Sequence, residues 1–520
     1  MKTPLSRRSF LKGSAAVAAA SAAGLPGFTA RSYAAVVGSN EDIRIAVIGF
    51  NSRGNSHIDA FSKMKGVRLV GLCDADDKVL EKGLARLETG GGKKPTSKPS
   101  TRPVASAKKR QEMAGGPDEE PKAPEKPKVK VVGYTDLRRV MDNKEIDAIS
   151  TATPNHWHSL IVVWGCQAGK DVYVEKPVSH NVWEGRQAVE AARKYNRIVQ
   201  TGTQSRSNSA LKEAYEWVQK GGLGKIKVAR GLCYKRRGTI GKVDGELKIP
   251  ENIHYDLWAG PSPMDPVRRK AFHYDWHWQW AQGNGDLGNQ GIHQMDTARW
   301  ALGKPFLSPK VMSVGGRFGY EDDGQTPNTQ FVVHDYGDSM LIFEVRGLPK
   351  ETGSGSMDQY KKQSVGTVVE CEDGYLVDSG YSSSPMAYDN KGEFIKKFSL
   401  EKAGGEGDHF ANFIKAVRSR KVEDLHADIL EGHLSSALCH TGNISYRLGK
   451  EVGQEEVAAA VKSNKAAAET YERLVEHLEK NKVSLKESKP TLGAFLQMDP
   501  KTERFIGDHA EDANKLLTRA

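Results

Sequence analysis

The sequence is short of cysteine, of acidic residues at its start and of long apolar runs. Each shortage excludes something. The five cysteines, Cys73, Cys166, Cys233, Cys371 and Cys439, are odd in number and widely spaced, with no C-x-x-C pair. A disulfide framework is not indicated, and they read as small buried hydrophobes. No H-E-x-x-H is present, so His273 and His277 at i, i+4 do not suggest zinc. His156 and His158 lack third and fourth ligands at a convincing spacing, and no metal is expected. Residues 1–34 hold five basic side chains and no acid, and residues 89–130 hold eleven basic and five acidic ones. Those two stretches account for the whole formal charge of +11. The rest is near neutral, which argues against nucleic-acid binding. The apolar stretch near the N-terminus is too short and too rich in Ala and Gly to span a membrane well.

That stretch follows Arg7-Arg8 and Phe10-Leu11-Lys12 and ends near Ser32-Tyr33-Ala34. It reads as a twin-arginine export signal, residues 1–34, that meets the twin-arginine machinery and places the protein in the periplasm or outside the cell. Such a route carries folded proteins, which suits one that acquires a soluble cofactor first. Residues 89–130, dominated by Pro, Lys, Gly and Ser, read as a disordered surface insertion.

Between residues 41 and 204 apolar strands alternate with helical periods. "IRIAVIGF" runs into a Gly-containing turn and a helix, and "VRLVGLCDADD" follows as a second strand. The pattern predicts an α/β fold with a doubly wound parallel sheet. After residue 205 the rhythm changes to long strand-like runs. A second α/β domain, 205–450, with a large open, mainly antiparallel sheet is expected. Residues 451–520 read as a polar, helical extension.

The turn Gly49-Phe50-Asn51-Ser52-Arg53-Gly54 lies directly after the first strand and opens the first helix, where backbone N–H groups can meet a pyrophosphate. Gly49 and Gly54 supply the turn and the close packing. Asn51 holds the middle glycine position, which a left-handed-tolerant residue can fill. Asp74 ends the second strand, where an acid takes the ribose hydroxyls and repels a 2′-phosphate. NAD is therefore expected over NADP. Thr153-Pro154-Asn155 and His158 follow the fourth strand, at the carboxyl end of the sheet where ligands bind. Arg53, Glu175 and Lys176 complete the expected cofactor set. Pro177 stiffens the strand exit at Lys176.

Together the fingerprint turn, "TATPNHWH", "VYVEKP", "VQTGTQSRS" and "GNGDLGNQGIHQMDTARW" resemble the glucose–fructose oxidoreductase / inositol dehydrogenase / rhizopine-catabolism family over roughly residues 41–450. The resemblance implies a Rossmann domain and a second domain whose sheet joins subunits into a homo-oligomer. It implies NAD(P)-dependent oxidation or reduction of a sugar, polyol or derivative, with the nucleotide tightly bound. Lys176 then contacts the nicotinamide region and the reacting hydroxyl, and His293 is the acid/base. Asn289 stands where the family often has aspartate, and asparagine can orient but not accept a proton. Asp296 shares a helix face with His293. Trp276 and Trp278, with the weaker candidates Tyr255 and Arg206, are expected at the sugar. Two other readings stand beside this one: an NAD-dependent glycosidase acting by transient oxidation and elimination, and a non-catalytic secreted sugar-binding protein.

Overall fold

A computed structural model describes residues 42–89, 130–380, 384–399 and 406–519. The expected export signal and nearly all of the basic insertion lie outside the described residues. One compact unit comprises residues 43–84 and 131–520. A second comprises 1–42 and 85–130, of which only Asp42, 85–89 and Lys130 are described.

The first sheet has the strands β1 (Ile43–Ile48), β2 (Val67–Cys73), β3 (Val132–Tyr134), β4 (Ala148–Thr151), β5 (Asp171–Val174) and β6 (Val199–Thr201). Their order is β3-β2-β1-β4-β5-β6 and every pairing is parallel. Strands β4, β5 and β6 are buried throughout and β1 nearly so, as in a sheet covered on both faces, whereas the edge strand β3 is largely exposed. The intervening helices are α1 (Gly54–Lys63), α2 (Asp77–Glu88), α3 (Leu137–Asp142), α4 (Asn155–Gln167) and α5 (Val182–Lys194). On one face Ala46, Ile48, Ile149, Val172 and Val174 pack with Ile161 and Val162 of α4 and Ala188 of α5.

The second sheet contains twelve strands. After α6 (Ser209–Gln219) come β7 (Ile226–Tyr234), α7 (Tyr255–Ala259), α8 (Gly285–Gly288) and α9 (Gly291–Leu302). Then follow β8 (Lys310–Gly316), β9 (Thr329–Asp335), β10 (Met340–Arg346), β11 (Val365–Cys371), β12 (Gly374–Asp378), β13 (Met386–Asp389) and β14 (Phe394–Lys397). Among the described residues of this sheet only β7 and β10 pair in parallel; the other strand pairings are antiparallel.

Helix α10 (Glu406–Ser419) returns to the first sheet. Phe410 packs against Phe61 of α1 and Tyr173 of β5, with ring centroids 5.1 and 4.7 Å apart. Such aromatic pairs contribute about 0.5–1.5 kcal/mol each beyond their buried area. Residues 41–204 therefore do not complete their own helical layer. Helix α11 (Ile429–Arg447) lies with α9 on one face of the second sheet, where Leu434, Leu438, Met295 and Ala298 meet Ala229, Leu341 and Phe343.

The C-terminal extension corrects the purely helical expectation. It contains α12 (Gln454–Val461) and α13 (Lys465–Lys480), and the strands β15 (Lys450–Glu451), β16 (Thr491–Leu492), β17 (Leu496–Asp499) and β18 (Arg504–Ile506) extend the second sheet beside β8 before α14 (Ala510–Lys515). Val457, Tyr471, Leu474 and Leu478 of α12 and α13 cover Val228, Val314, Phe331, Val333 and Ile342 on the sheet's other face. Arg230, Glu344 and Arg473 close a buried ion cluster under α13. The face expected to join copies of the chain is therefore covered, over β7–β10, by the chain's own helices.

Candidate functional site

The carboxyl ends of β1, β2, β4 and β5 open into a cavity of about 960 Å³. Its walls include Gly49, Asn51, Arg53, Asp74, Thr153, Pro154, Asn155, His158, Glu175, Lys176, Asn289 and His293. Contiguous polar groups beyond parallel strands are what the doubly wound topology produces at its switch point.

The turn after β1 requires glycine twice. Gly49 has φ +74°, and a Cβ there meets the Thr153 backbone N at 2.8 Å. A Cβ on Gly54, which does not itself line the cavity, lies 2.2 Å from the Gly49 carbonyl. Asn51 is exposed and is not among the residues with positive φ, so the turn makes no demand for glycine or a left-handed residue there. This tight backbone leading into the N-terminus of α1 has the shape and polarity a pyrophosphate needs. Asp74 accepts the Phe50 N–H at 3.0 Å and the Asp76 N–H at 3.1 Å. Burial pushes its carboxyl up to about 6.

Glu175 fastens the turn to the sheet. It is 3% exposed, and its Oε1 meets Arg53 Nε at 2.8 Å, His57 Nε2 at 3.1 Å and Gln204 Nε2 at 3.2 Å. Burial alone raises a carboxyl, but the Arg53 guanidinium, the hydrogen bond with His57 and the Lys176 charge outweigh it and hold Glu175 well below the usual carboxylate range. Arg53 and Glu175 thus engage each other across the cavity wall. His57 and Gln204 escaped the motif reading because their partner lies far away in the sequence.

Lys176 precedes a cis peptide to Pro177. Its Nζ donates to the Asn289 carbonyl at 2.9 Å. Burial draws the ammonium down to about 8, against the opposing pull of Glu175. His293, on α9, is 5% exposed and lines the same cavity. Burial first, and then the Lys176 charge, keep its imidazole neutral far below the ordinary histidine range. The lysine from the first sheet and the histidine from the helix beneath the second therefore share one chamber.

Other expected residues are placed differently. His158 lines the cavity, but Nδ1 faces the Pro177 carbonyl at 2.6 Å and Nε2 the Thr153 carbonyl at 2.8 Å, so the ring is committed to fixing two loops. Asn155 donates to Asn284 Oδ1 at 3.2 Å. Arg206 and Asp296 lie off the cavity. They form a bidentate buried pair at 2.9–3.0 Å, and Asp296 also accepts from Ser435 at 2.7 Å. Their charges are satisfied by each other, which corrects their reading as substrate contacts. Tyr255 is also off the wall, stacking on Trp258 and donating to the Asp265 carbonyl at 3.1 Å. Trp278 is withdrawn beneath the Arg237 guanidinium, 5.3 Å away. Trp276 does line the cavity, stacked on His277 at 3.7 Å.

A strap that the sequence reading singled out only in part completes the wall. Leu257, Trp258, Gly260 and Pro261 line the cavity with His273 and Tyr274. The strap is tied to the end of β2 by His273 Nε2 to Asp76 Oδ2 at 2.9 Å and Asn252 Nδ2 to Asp76 Oδ1 at 2.7 Å. Trp157 Nε1 donates to the Trp258 carbonyl at 2.9 Å. Among the described residues no group of three or more His, Cys, Asp or Glu could hold a metal, and no helix is long and apolar enough to cross a membrane.

Comparison with known proteins agrees with this architecture. Residues 90–203 match the profile of an oxidoreductase family with an NAD-binding Rossmann fold. Residues 212–344 match that family's C-terminal alpha/beta domain. Residues 4–24 match a twin-arginine translocation pathway signal, so the chain carries an export signal for the periplasm or exterior. A levoglucosan dehydrogenase of Pseudarthrobacter phenanthrenivorans is 25% identical over 171 residues, 33% of this chain and 36% of that protein. A glycosyl hydrolase family 109 protein of Shewanella pealeana is 26% identical over 157 residues, 30% of this chain and 27% of that protein. The matched stretch thus spans about a third of the first relative's length and about a quarter of the second's. The fold is shared with the WlbA dehydrogenase of Bordetella pertussis, solved with NADH and UDP-GlcNAcA. That likeness has TM-score 0.50 and 16% identity, and covers 76% of this chain and 94% of that one. The parallel sheet with its glycine turn, the mixed second sheet and both domain profiles lead to one assignment: residues 90–203 and 212–344 of this chain carry the two domains of the Gfo/Idh/MocA family of oxidoreductases.

Proposed function

We propose that this is an exported NAD-dependent oxidoreductase that moves a hydride between the nicotinamide and a carbinol carbon of a sugar, polyol or sugar derivative. The observation that carries the proposal is the meeting of Lys176 and His293 on one cavity wall with the Gly49–Gly54 turn and Asp74. Gly49, Asn51, Arg53 and Gly54 form or support the phosphate cradle, and Asp74 faces the ribose. Bound NAD⁺ supplies the hydride acceptor. The chain's part is proton and charge management. His293, held neutral, takes the hydroxyl proton as the C–H bond breaks. The Lys176 ammonium offers positive charge to the oxygen as it becomes alkoxide-like. The Asn289 carbonyl fixes the direction of that ammonium. Asn289 itself accepts no proton, so His293 works without a carboxylate relay at that position.

The Asp74 carboxylate favours NAD over NADP by repelling a 2′-phosphate, and the Trp258–Trp276 strap favours slow nucleotide release. Because Asp74 titrates near 6, NAD⁺ affinity is expected to fall as pH drops from 7 to 5, by up to about tenfold per unit below the pKa. The sign follows from protonation removing the acceptor of the ribose hydroxyls. Asp74→Asn can still accept the Phe50 N–H and should give weaker, pH-independent binding. A wild-type affinity flat between those pH values removes Asp74 from the site.

A second reading, oxidation-assisted glycoside cleavage, is favoured by the family 109 relatives and by an export destination without a free nucleotide pool. The undialysed protein should show nucleotide absorbance. Free sugars should then generate the reduced-nicotinamide band if net oxidation is the activity, whereas release of phenol from aryl glycosides without net reduction identifies the second. Neither product, with nucleotide bound, rejects both.

A further inference from the structure

Four histidines, His158, His273, His277 and His293, line the nucleotide cavity. Three have a task already: His293 at the reacting hydroxyl, His158 between two carbonyls, and His273 on Asp76. His277 has none. Its Nδ1 lies 2.5 Å from the Tyr274 carbonyl. A carbonyl only accepts, so Nδ1 carries the proton and Nε2 is left as a bare lone pair. Nε2 has no hydrogen-bond partner among the described residues, yet it is not sealed from solvent as the unmatched ring nitrogens of His156, His180 and His440 are. The ring is half-buried on the chamber wall, stacked on Trp276 at 3.7 Å. His277 Nε2 is therefore an accessible acceptor whose direction is set by a carbonyl at one edge and an indole on one face.

Its surroundings fix both its charge state and its place. Burial, helped by the Lys176 and Arg237 charges, draws the imidazole down to about 3 against the opposing Tyr274 hydrogen bond, so the lone pair is present at any ordinary pH. The Lys176 ammonium acts on His293 as well, which puts both imidazoles at the reacting end of the chamber. His293 and Lys176 are enough for the hydroxyl that is oxidised. A second neutral acceptor needs a second donor. A sugar or polyol hydroxyl supplies one, whereas a carboxylate or phosphate oxygen at that point has no proton to give and meets a lone pair.

We propose that His277 is a specificity-determining residue, whose Nε2 accepts a hydrogen bond from a substrate hydroxyl other than the one oxidised, so that the chamber selects a neutral polyhydroxylated ring. This rests on the oxidoreductase reading above and deepens it. The test is calorimetric titration of the full chain saturated with NADH, a complex in which an alcohol binds without turning over. The probes are glucose, galactose, N-acetylgalactosamine and myo-inositol, followed by the monodeoxy analogues of whichever binds. At least one probe should bind saturably. His277→Phe, which keeps a ring on Trp276, should weaken it by about tenfold, and His277→Gln, which keeps an acceptor, by no more than about threefold. One monodeoxy analogue should bind wild type about tenfold more weakly than its parent and bind His277→Phe as well as its parent does, a coupling that a packing role does not produce. Saturable binding by none of the probes overturns the inference, as does a His277→Phe loss that is equal for parent and every analogue. A fall in NADH affinity in His277→Phe, with probe binding unchanged, overturns it too and moves the imidazole to the nicotinamide carboxamide. Failure of wild type to bind nucleotide at all rejects the oxidoreductase reading itself, and the inference with it.

Discussion

Lys176→Ala is expected to lower kcat by about 10²–10³-fold while leaving NAD⁺ affinity within about threefold of wild type, on the scale of removing one preorganised donor to a developing oxyanion. The argument is positional. Lys176 Nζ is fixed at 2.9 Å on the Asn289 carbonyl and stands in the cavity with His293. The phosphate cradle is built from Gly49–Gly54 and tied down through Arg53–Glu175, which the substitution leaves intact. The same lysine sets a pH dependence. Its ammonium titrates near 8, so kcat/KM for oxidation should decline as pH rises through that value and the charge is lost. The residual activity of Lys176→Ala should lack that limb. Rapid-mixing kinetics and a nucleotide titration separate the two effects. Unchanged turnover removes the lysine from the chemistry, and loss of NAD⁺ binding in a folded variant moves it to the cofactor cradle.

Much of this was readable before any coordinates, for a local reason. The central strands of the parallel sheet are largely apolar and are punctuated by Gly49, Gly169 and Asn181, so their type shows in short windows. The glycine turn, Asp74, Lys176 and His293 sit at strand exits or on one helix, where residue type and place in the pattern coincide. What escaped is non-local. Nothing in "GDHFANFIKAVRSRK" says that its Phe410 packs against Phe61 and Tyr173, because helical periodicity names a buried face but not the surface that buries it. Strands of two to four residues, β15 to β18, are too short to show an alternation. Arg206 and Asp296 were misplaced for a related reason. A polar side chain in a promising segment serves equally well as a ligand contact or as another side chain's partner, and only the 2.9–3.0 Å pairing decides. His57, Gln204 and Asp76 failed in the opposite direction: each supports the site through residues distant in the chain.

His293→Gln is expected to lower kcat by about 10²–10⁴-fold, the usual contribution of a positioned acid or base. Glutamine keeps polarity near the imidazole's position but cannot accept the hydroxyl proton. The substitution therefore tests proton transfer rather than packing, and the nearly full burial of His293 makes that distinction necessary. A purely structural histidine would lose stability and NAD⁺ affinity together. A catalytic one would keep both, and would show a larger rate deficit at low pH, where water and hydroxide replace it poorly, than at high pH. In the wild-type free enzyme the acid limb of kcat/KM should lie below the ordinary histidine range, because burial and the neighbouring ammonium both oppose protonation. The same proton must leave the substrate oxygen whether the product is an oxidised sugar or a cleaved glycoside. A folded His293→Gln variant that binds NAD⁺ and retains wild-type turnover in both assays would therefore separate the family's fold from its chemistry in this chain.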